Sequence, residues 1–300
     1  MVTALFLVNF SSGSNINNAS TSTPSKIFGI CKIYYSAVIF GSISGFVTGA
    51  KCICKIYDND KTDHASFNHS VAVSSNAGIG FTVSCVGILI WGSPLFGILL
   101  YLTQIISALI LGRIFYEKCE SEYSLTYGRR ANYIKAFTDA VTSSAFSLLS
   151  ICAFVTVFSL VSDIATLYLS QKAAALMNII LEFSGGVFKC SVFSSEITCG
   201  FLCGFCVGFG GLSAVFQIIS VCSDYPLNKA RFVLYKLTHG IVLGIFTMII
   251  VRILDVEPLM SSFSFTDTNI RSDHIFLIVY CITILLIIFS YNYIRHLKRR

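Results

Sequence analysis

The chain has 300 residues, 55% of them hydrophobic and 12% charged, with a mean hydropathy of +0.76. A soluble domain of this length needs far more surface charge, so composition excludes that class and indicates an integral membrane protein. The net charge of +6 does not indicate a nucleic-acid partner, because the basic residues cluster in short loops and in the C-terminal tail.

Residues 1–26 form a ten-residue apolar stub, MVTALFLVNF, followed by a polar linker rich in Ser, Thr and Asn. The stub has no basic n-region and does not read as a signal peptide. The next stretch, 27–54, is apolar but interrupted by Gly, Ser and Lys, most clearly in SGFVTGAK at 44–51. It is too broken for a simple span and reads as a re-entrant hairpin. Its ends lie among Lys26, Lys32, Lys51, Lys55 and Lys61, so it enters from the cytoplasm. The run 67–91 has the length of a span but carries SSNAGIGF, ending at Phe81. The run 94–115 is an intact span, since about 20 apolar residues cross the hydrocarbon core.

A basic cytoplasmic loop is expected over 116–139, and a connecting transmembrane helix over 140–168. The stretch 173–193, with LEFSGGVFK at 181–189, is a second broken hairpin. The run 197–222 is apolar enough to span, yet GFGGLS interrupts it near its middle and Gln217 follows one turn later. The run 232–254 is intact, 255–274 is an acidic loop, and 275–300 is a final helix with the basic tail RHLKRR. Lys and Arg concentrate around 113–135, at 229–231 and in the tail. The positive-inside rule therefore places those segments in the cytoplasm and the acidic loop outside.

Three landmarks recur at nearly one offset: Gly49 with Gly185 at 136, Asn76 with Gly211 at 135, and Leu102-Thr103 with Leu237-Thr238 at 135. Internal repeats are common in transporters. Combined with the loop charges, the two units (27–115 and 173–254) have opposite orientation. The expected fold is therefore an all-α polytopic membrane protein with two inverted repeats. Each repeat has a re-entrant hairpin and a broken transmembrane helix, giving about six spans and two hairpins in all.

In lipid, free backbone groups cost several kcal/mol each, so irregular backbone persists only where it is buried or lines a polar cavity. A half-helix N-terminus at such a break offers free N–H groups and the positive end of a dipole, which suits an anionic or polar solute. The candidate solute-binding residues are those that combine Gly with a polar neighbour. They are Ser44, Gly45, Thr48 and Gly49 at the first tip, and Ser75, Asn76 and Gly78 at the first broken span. The second repeat supplies Ser184, Gly185, Gly210, Gly211, Ser213 and Gln217. Glu182, an acid inside an apolar stretch, is a functional candidate by default. Its candidate roles are to bind a coupling proton or cation, or to hold the tip by accepting backbone N–H bonds. His239 is a second candidate for such a role, with a plain interhelical hydrogen bond as the alternative.

Cys199, Cys203 and Cys206 are spaced like part of a metal site, but no second cluster completes it. They read as small packing residues, and neither a metal nor a cofactor is expected. No HExxH, GxSxG or GxxxxGK[ST] occurs, so neither an embedded enzyme nor direct ATP drive is expected.

At these landmarks the chain resembles the YlbJ-like sporulation integral membrane proteins of the nucleoside-recognition (Gate) domain family. SGFVTGAK resembles that family's SGYPxGAK, SSNAGIGF…GSPLFG its NNSGPxF…GSPxxG, and LEFSGG its LExTxG. GFGGLS followed by Gln217 is similar to GFGGLSxxxQ, and LTHG to LLHG. The likeness runs from about residue 24 to the C-terminus, with Val47 where the family has proline. The resemblance implies an architecture related to concentrative nucleoside transporters. It also implies a location in the cell membrane, specifically the outer forespore membrane, and movement of dipicolinate across it during sporulation. The expected function is transport of a small polar or anionic solute through the lipid bilayer, with oligomer formation left open. The alternative is a non-transporting assembly or scaffold protein of the spore envelope.

Overall fold

The computed structural model describes residues 30–59, 62–115 and 133–259, and these are mostly helical, with no strand among them. A 3-10 turn, Lys32–Tyr34, leads into α1 (Tyr35–Ser44), α2 (Phe46–Asn59) and α3 (His64–Ser74). A π-helical segment, Phe81–Ile90, precedes α4 (Pro94–Ile114) and α5 (Tyr133–Thr166). Then come α6 (Gln171–Leu181), α7 (Phe183–Lys189) and a 3-10 turn, Cys190–Val192. The described chain finishes with α8 (Glu196–Phe209), α9 (Gly211–Val221) and α10 (Lys229–Leu254).

Local chemistry sets several helix starts. Asp63 accepts from Ser66 N at 2.8 Å to open α3, and Asn228 accepts from Arg231 N at 3.1 Å to open α10. Ser93 accepts from Phe96 N at 3.2 Å with Pro94 at the first helical position, where a missing N–H costs nothing.

Among the described residues four segments are long and apolar enough to cross a membrane: α4, residues Val141–Thr166 of α5, α8 with α9 taken together, and α10. The expectation of about six spans is met in part. The run at 67–91 is divided between α3 and the π-helical segment, neither of which has the length of a span. The stub at 1–26 and the last helix at 275–300 lie outside the described residues. The basic loop expected over 116–139 ends earlier than expected, because α5 already begins at Tyr133.

The four segments differ in burial. Of the most apolar window of Glu196–Val221, 72% is buried, whereas only 11% of that of Val141–Thr166 is. The α8–α9 pair is thus central and α5 peripheral. Small residues set the central packing. A Cβ on Gly208 would stand 2.9 Å from Gly240 Cα, and one on Gly244 would stand 2.8 Å from the Phe201 carbonyl oxygen. With Gly200 and Gly204, these glycines let α8 and α10 approach backbone to backbone, which replaces the hydrophobic drive that lipid cannot supply. Cys199, Cys203 and Cys206 are buried on α8, and the Cys206 thiol donates to the Phe183 carbonyl at 3.3 Å.

Candidate functional site

The helix interruptions meet one another. Gly45, between α1 and α2, has φ +115, and a Cβ there would stand 3.7 Å from Gly78 N. A Cβ on Gly78 would in turn lie 3.2 Å from the Ile43 carbonyl oxygen, so the α1–α2 break abuts the break after α3. Gly41 and Gly49, four residues either side of Gly45, also face each other: a Cβ on Gly41 would stand 2.6 Å from Gly49 Cα.

The second pair of breaks meets in the same way. Glu182 is extended (φ −140, ψ 120) and separates α6 from α7. Gly210 and Gly211, with φ +82 and +69, separate α8 from α9. A Cβ on Gly211 would lie 2.9 Å from Phe183 N. Positive φ together with backbone contact restricts the position to glycine. A Cβ on Gly186 would stand 2.7 Å from Ile179 Cα, which brings α7 back against α6.

Aromatic rings connect the two pairs of breaks. Phe46, the first residue of α2, meets Phe183, the first residue of α7, edge to face at 5.0 Å. Phe81 lies 4.9 Å from the same Phe183 ring. A Cβ on Gly210 would press on Phe46 at 2.7 Å, so all four breaks share this aromatic cluster.

The buried charges lie beside it. Glu182 is 1% exposed and is the one buried carboxylate among the described residues. One carboxylate oxygen accepts from Ser184 N at 3.0 Å, the other from Gly185 N at 2.6 Å, and the Ser184 hydroxyl donates to the pair at 2.7 and 2.8 Å. Its geometry is that of a cap on the first turn of α7, satisfying N–H groups freed by the break. The turn point is therefore Glu182 itself, while Ser184, Gly185 and Gly186 already belong to α7.

Lys236 of α10 is also 1% exposed. Its ammonium donates to the Ser75 carbonyl at 2.7 Å and sits over the Phe46 ring, 5.0 Å from the centroid. His239, one turn on, is fully buried, with Nε2 3.0 Å from Ser107 Oγ and 3.2 Å from the Gln104 carbonyl oxygen.

The other sequence-derived candidates divide into two groups. Ser75, Asn76 and Ser213 are buried close to the breaks in sequence. The Asn76 amide donates to the Val73 carbonyl at 2.8 Å, leaving its carbonyl oxygen without a hydrogen bond, and Ser213 Oγ is also without one. Gln217 is buried one turn beyond Ser213. By contrast, Ser44 Oγ folds back onto the Phe40 carbonyl at 2.7 Å. Thr48 and Gly49 lie within α2 rather than at its turn. A Cβ on Gly49 would stand 2.7 Å from the Ser74 side chain, so Gly49 is where α2 and α3 touch.

Lys236 and the Phe46–Phe81–Phe183 cluster are absent from the sequence-derived set. Lys236 had a readable signal, since it is the only charged residue between positions 232 and 251, and an ionisable residue inside a span is functional by default. The phenylalanines had none, being three among 26.

This arrangement places one buried cation, one satisfied carboxylate, unpaired hydrogen-bonding oxygens and flat apolar rings at the meeting point of four helix interruptions. Lys236, Glu182, Ser75, Ser213 and Phe46 are all buried there. No family model, curated protein or solved structure matches the chain.

Proposed function

We propose that the chain is an integral, multi-pass membrane transporter of a small polar or anionic solute, bound where the four helix breaks meet. In this reading α1–α2 and α6–α7 are re-entrant hairpins, entering from the cytoplasm and from outside respectively. The α3–π pair and α8–α9 are interrupted helices, and α4 and α10 are intact. The two sets are inverted repeats.

The observation that carries the reading is contact between residues at equivalent repeat positions. The sequence offset of 135 makes Gln104 and His239 equivalents, and these two are in contact at 3.2 Å. Phe46 and Phe183 each open the helix after a break, one position out of the 136 register that pairs Gly49 with Gly185, and their ring centroids lie 5.0 Å apart. Equivalent residues meet each other only near a two-fold axis, and solute sites of inverted-repeat transporters lie at the repeat interface near the bilayer midplane.

The resemblance noted in the sequence extends the proposal to dipicolinate as solute and the outer forespore membrane as location, with a proton or cation as coupling partner. The test is uptake by the purified full chain in proteoliposomes, using labelled dipicolinate and labelled uridine. Saturable uptake of either above protein-free vesicles is the expected result. A correctly inserted protein that moves neither, with or without proton and sodium gradients, would favour the non-transporting scaffold instead.

A further inference from the structure

We propose that Lys236 selects the solute by its negative charge, acting as the counter-ion of the transported anion. The proposal rests on the transport reading above and assigns a residue to the charge step within it.

A buried ammonium loses its hydration and requires compensation from the protein. Lys236 is 1% exposed, so it does not reach a membrane surface by snorkelling despite lying early in α10. Its compensation is slight for an ion with three N–H donors: the Ser75 carbonyl at 2.7 Å and the face of Phe46. Among the described residues Glu182 is the one buried carboxylate, and its oxygens are taken up by Ser184 and Gly185. When protonated, Lys236 therefore has no carboxylate counter-ion among the described residues.

The placement of the charge makes it usable. Ser75 follows α3 at the first interrupted helix, and Phe46 opens α2. Both partners of the ammonium thus belong to the segments that would move or part around a solute. An incoming carboxylate takes the place of the Ser75 carbonyl, while its flat body lies against the rings of Phe46, Phe81 and Phe183. Asn76, next to Ser75 and with its carbonyl oxygen unpaired, accepts from any N–H or O–H the solute carries. An uncharged analogue of the same shape meets the rings equally well but leaves the ammonium uncompensated.

A purely structural role makes a different prediction. If Lys236 only caps the Ser75 carbonyl freed by the break, a neutral donor of similar reach serves as well. The experiment compares Lys236→Gln, which keeps a donor without charge, Lys236→Met, which has neither, and Lys236→Arg, which keeps both. Each full-length variant is reconstituted, and protein-dependent initial uptake of pyridine-2,6-dicarboxylate is divided by that of its diamide.

The expected result is that this ratio falls at least tenfold in Lys236→Gln and Lys236→Met, with Lys236→Arg retaining most of it. A wild-type ratio in Lys236→Gln overturns the proposal and leaves Lys236 as a cap. Wild-type protein that moves acid and diamide equally also overturns it, while transport itself stands. Wild-type protein that moves neither removes the transport reading and this inference together. If the neutral variants do not fold, competition on the wild type decides. Equal inhibition of dicarboxylate uptake by planar acids and by their amides refutes the proposal, and inhibition by the acids alone is the result it requires.

Discussion

Gly211→Ala tests whether the two breaks of the second half are held together by direct backbone contact. Gly211 has φ +69, and its added Cβ would stand 2.9 Å from Phe183 N and 3.2 Å from both Cα and the carbonyl carbon of Glu182. A side chain in the left-handed region costs about 1–2 kcal/mol. Forcing apart a packed contact adds about 1–3 kcal/mol. The neighbours here are main-chain atoms of the Glu182 turn and cannot swing aside, so the combined loss is about 2–5 kcal/mol. Gly80→Ala is the control, since Gly80 has φ −60 and nothing within 4 Å of its added Cβ. That substitution stays within about 0.5 kcal/mol of wild type. At about 2–4 °C per kcal/mol for a chain of this size, Gly211→Ala melts roughly 4–20 °C lower. Thermal unfolding of the detergent-solubilised protein, followed by far-UV circular dichroism, measures the difference. If the two variants melt within about 2 °C of each other, the breaks are not locked against one another and do not build one rigid shared site.

Glu182→Gln keeps the shape but replaces one acceptor oxygen with an amide that cannot accept from Gly185 N. It should cost about 1–3 kcal/mol in stability and blunt the pH or cation dependence of uptake more than solute binding. If both stay at wild-type values, Glu182 neither holds the turn nor couples transport. Gly49→Ala places a methyl 2.7 Å from the Ser74 side chain and should lower the melting temperature by an amount corresponding to about 1–3 kcal/mol. An unchanged melting curve would show that α2 and α3 are not in close contact. Single cysteines introduced into 255–274 should react with an impermeant reagent from outside, while those in 113–135 and at the C-terminus should react only from the cytoplasmic side. Opposite labelling of 113–135 and the C-terminus would disprove the inverted arrangement.

Much of the broken-helix pattern is legible in the sequence, because its signals are local. The Gly210-Gly211 pair interrupts an otherwise apolar run, and both residues have the positive φ that glycine tolerates best. Gly45 behaves likewise at the first turn. The second turn falls at Glu182, ahead of the Ser184-Gly185-Gly186 cluster, which belongs to α7. A carboxylate that caps the next helix fixes the turn at its own position, whereas glycines are only permissive. Gly49 illustrates another ambiguity: close packing and close solute approach select the same residue, and only the position of Ser74 separates them. Phe46, Phe81 and Phe183 meet across more than 100 residues of chain, so nothing in their immediate neighbourhoods could distinguish them from the other phenylalanines.

The connecting helix α5 has 34 residues, about 51 Å at 1.5 Å per residue, against a hydrocarbon thickness of about 30 Å. It rests on the rest of the protein along a narrow edge that includes Ser144, Ser147 and Ser162, with Lys51 donating to Ser147. Phe146, Leu148, Leu149, Val157, Val161 and Ile164 point away and are exposed. A rod held so lightly takes up mismatch with bilayer thickness by leaning, at a cost of fractions of a kcal/mol per Å. Phe158 of α5 also stacks on Phe216 of α9 at 5.8 Å, whereas the glycine contacts between α8 and α10 involve no residue of α5. In the proposed membrane arrangement, annular lipid is therefore the principal neighbour of α5, and its inclination would follow the thickness of the host bilayer while the centre of the protein keeps its shape.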